Sequence, residues 1–301
     1  MKRIYLITTL ILLSTQVYSQ TGFEFFGVSF SEFQRVGFSE NEGIQRGDQL
    51  QVSYDEFFIF GKIPAVNKPN TKLVVETSYN LKSFQYDYFN LNGANIRPDE
   101  LHDIRLKLTY LQNFNEKWSL VTLIIPGYSS DFEEKISRED YLFRGGLIIN
   151  YKLNRQIRVG LGGMRSYVFG EEEVLPVISL NYSGFYEKLK VELLFPNAKT
   201  TYQMTPRFKL GIKSQSDGSQ YNYRDITNTN DLESDYVKFS QTNIGPTMEI
   251  QRGTILFKID TGITVNRKVS IYTDSNDSMA DISPDAGVFL KVGISYQIKG
   301  R

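Results

Sequence analysis

Apolar and polar residues alternate most clearly in the last part of the chain. Between residues 254 and 266, mostly apolar side chains occupy every second position: Ile255, Phe257, Ile259, Thr261, Ile263 and Val265. The positions between them are mostly polar, and the segment 286–298 repeats the pattern. A period of two residues is that of a β-strand with two different faces. Both segments are therefore predicted to be two-faced strands.

A less regular form of the same alternation recurs through the rest of the chain. The further candidate strands are 23–33, 48–60, 72–83, 101–113, 117–127, 141–153, 156–167, 174–186, 188–196, 200–204, 207–223 and 236–250. The segment 200–204 is short. We predict 12 to 14 strands, with 14 as the best count, in an all-β, closed antiparallel transmembrane β-barrel.

The connections between these strands alternate in length. Short hairpin turns are predicted at 113–116, 154–155, 187, 205–206 and 252–253. Longer polar connections, rich in acidic residues, lie at 34–47, 84–100, 128–140, 224–235 and 269–285. Short periplasmic turns and longer extracellular loops are typical of outer-membrane barrels. The segment 61–71 is interpreted as one long connection on the short-turn side.

Charged residues occur in the middle of the polar faces, where they need water or a partner. In a barrel surrounded by lipid they would face the lumen: Arg105, Lys107, Arg144, Lys190, Glu192, Lys209, Lys258, Asp260 and Lys291. Six further candidates are Lys152, Arg158, Lys213, Asp55, Glu76 and Glu249. The set is mostly basic, and a basic lumen would favour anions.

Aromatic residues are abundant at the predicted strand ends, including Tyr54, Trp118, Tyr128, Tyr141 and Tyr167. Such residues form girdles at the two membrane interfaces of outer-membrane barrels. The alternative is that strands are rich in aromatic residues in any β-protein. We favour the girdle interpretation.

The N-terminus carries the features of an export signal. Lys2 and Arg3 precede an apolar run over 4–13, followed by a polar stretch that ends at Ser19. The run is too short for a membrane-spanning helix, which needs roughly 20 residues. We predict a signal peptide over 1–19, a barrel domain over 20–301, and localisation in the outer membrane.

Composition narrows the remaining classes. Cysteine is absent, which excludes a disulfide framework and a thiolate metal site. The chain has 34 basic and 34 acidic residues, so no net charge favours a nucleic-acid partner.

Several segments together resemble a family of uncharacterised outer-membrane β-barrel proteins from Bacteroidetes-type Gram-negative bacteria. They are 104–128, 145–182 with its VGLGG and LPVISLNY motifs, 190–196, and the turn Thr205-Pro206. The resemblance covers roughly residues 100–301. It implies a barrel fold and no assigned activity, so it identifies no functional residue.

Candidate chemistry is sparse. The single histidine, His102, has no G-x-S-x-G nucleophile elbow to serve, and no enzyme activity or cofactor is predicted. Hard oxygen ligands suited to calcium occur at close spacing in Asp274, Asp277, Asp281 and Asp285. They lack the EF-hand spacing, so a solvated loop is the preferred interpretation and no metal is predicted.

The leading functional hypothesis is an integral outer-membrane barrel, either a pore for small solutes that favours anions or a structural or surface barrel. Its expected partners are outer-membrane lipids, lipopolysaccharide, and the barrel-assembly machinery, which would bind the C-terminal strand. Two alternatives stay open: an outer-membrane enzyme that modifies lipid or lipopolysaccharide, and a secreted β-sandwich binding module. The pattern leaves undecided whether the lumen is open or plugged.

Overall fold

The computed structural model describes residues 23–37, 51–87, 99–133, 135–184, 186–223, 234–273 and 278–298, with the backbone alone at 86–87, 234–235, 273 and 278–282. Its strands are β1 (Phe23–Gly37), β2 (Gln51–Asn67), β3 (Thr71–Asp87), β4 (Glu100–Asn113), β5 (Trp118–Ser130), β6 (Tyr141–Lys152), β7 (Ile157–Ser166), β8 (Glu173–Gly184), β9 (Leu189–Leu194), β10 (Asn197–Thr205), β11 (Phe208–Asn222), β12 (Ser234–Arg252), β13 (Ile255–Thr273), β14 (Ser278–Ile282) and β15 (Gly287–Ile298). Within these ranges, no helix is long and apolar enough to cross a membrane.

The sheet closes on itself. Each strand from β1 to β13 pairs antiparallel with the next, and β15 pairs with both β1 and β13. The short β14 pairs only with β13, beyond the end of β15, and so continues the line of that strand. The result is the predicted closed 14-stranded barrel, in which the doubtful segment 200–204 is part of β10.

The outward faces are apolar and exposed. On β13 and β15 the exposed apolar residues are the alternating ones of the sequence pattern, including Phe257, Ile263, Val288 and Val292. Leu161 on β7 is 69% exposed. Contiguous apolar surface of this kind is costly in water and is the lipid-facing surface of a membrane barrel.

Aromatic pairs lie towards both ends of this surface. Trp118 packs against Tyr151 near the short turns, with ring centroids 4.7 Å apart, and Tyr128 packs against Tyr141 near the long loops at 5.8 Å. Tyr54 and Tyr167 are buried, 3% and 4% exposed, so their assignment to a girdle is wrong. The girdle therefore contains only part of the predicted aromatic residues.

Some predicted connections are strand instead. β2 continues to Asn67 and a tight turn over 68–70 leads into β3, so the long connection at 61–71 is wrong. Pro64 is accommodated because the register shifts between Pro64 and Val66. β1, β3, β5, β12 and β13 also extend into predicted loops. Residues 38–50, 88–98, 224–233 and 274–277, which include most of three of these loops, part of a fourth and the start of the predicted strand 48–60, lie outside the described residues.

The wall of the barrel is uneven in height. β12 and β13 have 19 residues each, whereas β9 has six and β10 has nine. β8 pairs with β9 only up to Ser179, and β11 pairs with β10 only up to Ser214. Beyond these points, no described strand lies between β8 and β11, and the sheet is interrupted above the turn at 195–196.

Candidate functional site

The lumen is the candidate site, since every inward face contributes to it. Strand register places all nine charged residues of the sequence prediction on inward faces: Arg105, Lys107, Arg144, Lys190, Glu192, Lys209, Lys258, Asp260 and Lys291. Asp55 is different. It lies opposite Glu32 of β1 on the outward face of β2, so its assignment to the lumen is wrong. The next residue, Glu56, is the one that faces inward.

A buried lysine links two sides of the lumen. Lys82 on β3 is 1% exposed and its Nζ lies 3.1 Å from Glu56 on β2 and 2.8 Å from Asp217 on β11. Lys291 on β15 also approaches Glu56, at 3.4 Å. Because β3 and β11 are far apart around the ring, the Lys82–Asp217 pair crosses the lumen.

A second connection crosses the lumen beside it. Asp103 on β4 accepts hydrogen bonds from Arg105 at 2.5 Å and from Arg144 at 3.1 Å. The Ser219 hydroxyl on β11 accepts from Arg144 at 2.6 Å and donates to Asp103 at 3.1 Å. These buried charges are paired and hydrogen-bonded, as burial requires.

The main chain also crosses the lumen. Asn222 of β11 is paired in parallel with Ser130 of β5, and its carbonyl accepts a hydrogen bond of 3.2 Å from the Asp131 amide. The β7–β8 connection lies against the outer side of β11, where a Cβ on Gly218 would overlap the Val168 carbonyl oxygen. At this height, therefore, β11 bridges the barrel.

Above these bridges, aromatic side chains fill the lumen towards the long-loop rim. Tyr54 stacks on Phe33 at 4.1 Å and contacts Phe84 at 5.2 Å and Phe239 at 5.6 Å. They are part of one buried cluster, which consists of Phe33, Val52, Tyr54, Phe84, Leu101, Tyr221, Tyr223, Val237, Phe239, Ile271 and Phe289. We call it the aromatic plug. The outer half of the lumen is thus closed by a packed core.

The inner half contains charged groups of both signs and open space. Glu249 pairs with Lys199 and with Lys209, and Asp260 pairs with Lys213 at 2.9 Å. Towards the short-turn rim, Glu76 pairs with Lys62 at 3.2 Å and Glu24 pairs with Lys258 at 2.7 Å. Because Glu249 pairs with two lysines at once, these ion pairs contain more basic than acidic side chains, and the lumen keeps an excess of positive charge.

A cavity of about 490 Å³ opens in this inner half, and we call it the vestibule. Its basic lining residues are Lys107, Arg158, Lys199 and Lys213. Its apolar lining residues include Leu111, Val121, Leu123 and Ile148. A smaller cavity of about 180 Å³ lies between the vestibule and the aromatic plug, beside Lys291 and Asp260.

Gly160 shows how the sequence shapes this region. It lies in register between Asn150 of β6 and Ser179 of β8, and the Ser179 hydroxyl donates a 3.0 Å hydrogen bond to Asn150 across it. A Cβ on Gly160 would overlap both side chains. Gly160, and Gly162 beside the Leu147 carbonyl, therefore serve close packing within the sheet, as expected for glycines in strands.

Sequence analysis missed three charged residues of the crossing contacts, Lys82, Asp103 and Asp217, and the hydroxyl of Ser219. Asp103 shares a face with Arg105 and Lys107, so alternation alone identifies it as inward. The bridge itself could not be found in this way, because Lys82 and Asp217 are 135 residues apart. Their contact depends on how closely β3 and β11 approach each other across the lumen.

The candidate catalytic and metal residues lie elsewhere. His102 is on the outer surface, where its Nδ1 shares a 2.8 Å hydrogen bond with the Tyr79 hydroxyl and its ring stacks on Phe132. Of the calcium candidates, Asp274, Asp277 and the side chain of Asp281 lie outside the described residues. Among the described residues, no group of three or more potential ligands, Asp285 included, is placed to hold a metal ion.

Residues 15–297 match a family model described as a domain of unknown function, DUF6268. The chain belongs to this family. The match extends the resemblance noted in the sequence to nearly the whole barrel. No protein with a curated description matches the chain.

Solved structures with a similar course of the chain are outer-membrane proteins. An outer-membrane channel from Pseudomonas putida F1 has 9% identity and a TM-score of 0.45, covering 94% of this chain and 98% of that one. Omp33 from Acinetobacter baumannii has 10% identity and a TM-score of 0.40, covering 91% and 98%. The translocator domain of the autotransporter NalP from Neisseria meningitidis has 11% identity and a TM-score of 0.41, covering 98% and 96%. Identities and TM-scores this low support no conclusion about activity.

Proposed function

We propose that this outer-membrane barrel is a gated channel for small anionic solutes. The observation that carries the proposal is the charge of the lumen. The ion pairs of the lumen contain ten basic and seven acidic side chains. The basic ones are Lys62, Lys82, Arg105, Lys107, Arg144, Lys199, Lys209, Lys213, Lys258 and Lys291, and the acidic ones are Glu24, Glu56, Glu76, Asp103, Asp217, Glu249 and Asp260. Such an excess attracts anions and repels cations.

The closed outer half is consistent with a gate. β11 is held across the lumen through a few groups, chiefly Lys82 with Asp217 and Arg144 with Ser219. Asp217 is 23% exposed, so water and ions that enter from the vestibule would compete with Lys82 for its carboxylate. Release of β11 would join the vestibule to the outer mouth. The second candidate is a static structural barrel, favoured by the aromatic plug.

Conductance across a planar lipid bilayer decides between the two. Asp217→Asn removes the acidic end of the crossing pair and leaves Lys82 with Glu56. We expect rare, anion-selective openings of the wild-type barrel and a several-fold higher open probability for this variant. Asp55→Asn is the matched control, since Asp55 lies on the outward face, and its open probability should equal that of the wild type.

Two results would overturn the channel. If neither the wild type nor Asp217→Asn conducts, the barrel is static. If the openings favour cations, the positive excess does not govern permeation. An equal increase for Asp55→Asn would show that the effect does not come from the lumen.

We also propose that residues 1–19 are a signal peptide, that the short turns face the periplasm, and that the acidic loops face the cell exterior. Lipopolysaccharide would then surround the long-loop rim, and the assembly machinery would bind β15. Epitope tags after Asn115 and after Asn276 test the orientation on intact cells. Surface labelling is expected at Asn276 only.

A further inference from the structure

The vestibule has an apolar wall that a channel for water and ions does not require. Strand pairing places Leu111, Val121 and Ile148 side by side across β4, β5 and β6. The same row continues through Gly162 to Val177, and Leu123 lies in the neighbouring row. Inward faces of water-filled barrels are polar. This wall therefore indicates a solute with an apolar part.

The same vestibule also contains cations. Arg158 lines the cavity and makes no ion pair with any residue that the structure describes. Lys107 has only Glu76 nearby, at 3.9 Å. A guanidinium group binds a carboxylate or phosphate through two parallel hydrogen bonds. Cationic groups and an apolar wall thus line one cavity.

The vestibule also reaches the place where the barrel wall is interrupted. Its lining includes Leu194, Asn197 and Gln215, at the β9–β10 turn and the adjoining edge of β11. Outside, β8 presents the exposed apolar side chains Val174 and Ile178 at the interruption, and the exposed Ile212 of β11 lies just below it. Ion pairing of Glu171 with Lys238, at 3.2 Å, holds the β7–β8 connection across the top of the interruption. The interruption thus lies at the depth of lipid.

We propose that the vestibule binds an amphipathic monoanion, a carboxylate with a medium-length hydrocarbon chain. The head group pairs with Arg158, the chain lies on Leu111, Val121 and Ile148, and the interruption between β8 and β11 lets the chain pass between cavity and membrane. A volume of about 490 Å³ falls in the range of small-molecule sites. The proposal deepens the channel function by naming the class of solute. It rests on that function only because it assumes that solutes pass through the vestibule.

Binding is measured by equilibrium dialysis of labelled octanoate against the full-length mature barrel held in amphipol, with amphipol alone as the blank. We expect saturable binding of one octanoate per barrel. Each methylene contributes about fourfold in affinity when fully buried, so hexanoate, which is two methylenes shorter, should bind about fifteenfold more weakly than octanoate. Acetate should show no saturable binding.

Two lumen variants and two matched controls locate the site. Arg158→Gln should weaken octanoate binding at least tenfold, whereas Arg165→Gln, on the opposite face of the same strand, should leave it unchanged. Leu111→Gln should weaken binding, whereas the volume-conserving Leu111→Met should retain it. Heat-modifiable gel mobility verifies that each variant is folded; Val121→Thr replaces Leu111→Gln, and Arg158→Met replaces Arg158→Gln, if either fails this check.

The proposal is overturned if octanoate and acetate bind alike, or if Arg158→Gln and Arg165→Gln bind octanoate equally. It is separable from the conductance result. Octanoate binding to a barrel that never conducts would retain the site and reject the channel. Anion conductance without saturable octanoate binding would retain the channel and reject the site.

Discussion

The two halves of the lumen are built from the same strands yet differ in almost every respect. In the outer half, Phe33, Tyr54 and Phe239 pack at protein-core distances and Lys82 is buried among them. In the inner half, the charged groups are partly exposed and line open cavities. The difference follows from the unequal strands, because the ring is completed by fewer strands once β9 and β10 have ended.

The comparison shows that one alternating pattern specifies two different interiors. A wide ring leaves space that charged side chains and water fill, whereas a narrow ring brings inward side chains into contact across the lumen. Apolar inward residues in the narrow part then pack as a core. The outer half of the lumen is therefore blocked because of strand length as much as residue type.

The largest expected difference between the halves concerns packing. Phe239→Ala, in the aromatic plug, should lower the free energy of unfolding by about 3 to 5 kcal/mol, because the cavity it leaves cannot collapse. Leu123→Ala, on the vestibule wall, should cost less than about 2 kcal/mol, because its side chain already borders open space. Urea titrations of both variants in micelles measure this. Equal costs would mean that the two halves are packed alike.

A smaller effect is expected on the surface that both halves share. Ile259→Arg places a cation on the lipid face of β13 and should cost about 2 to 4 kcal/mol, which reduces stable insertion. Lys258→Ile, at the adjacent lumen position, should be mild, because Lys258 is partly exposed and paired only with Glu24 near the rim. Folding into liposomes compares the two. Similar yields would contradict the assignment of the faces.

The smallest expected effect separates buried from exposed lumen charges. Lys82→Met leaves Asp217 and part of Glu56 without a partner and should cost about 2 kcal/mol. Lys209→Met should cost less than about 1 kcal/mol, because Lys209 is 38% exposed and Glu249 keeps Lys199. The same urea titrations apply. A larger cost at Lys209 would reverse the contrast between the halves.

The sequence was sufficient for the parts of the fold that depend on local alternation. It predicted the strands, including β13 and β15, and the inward face that carries Arg105 and Lys258. At Tyr54, Asp55, Glu56 and Phe57, two acidic residues are adjacent, so alternation did not decide which faces inward. The bridge between β3 and β11 and the apolar row of the vestibule arise only from pairing between strands that are distant in sequence.

The short β9 has a consequence for the bilayer itself. Its six residues span about 20 Å at 3.3 Å per residue, less after tilt, whereas the apolar band of an outer-membrane barrel is about 25 Å tall. Lipids beside β9 are expected to shorten to match, since hydrophobic mismatch is relieved by local thinning. We therefore expect the membrane to be thinnest on one side of this protein, next to the break in its wall.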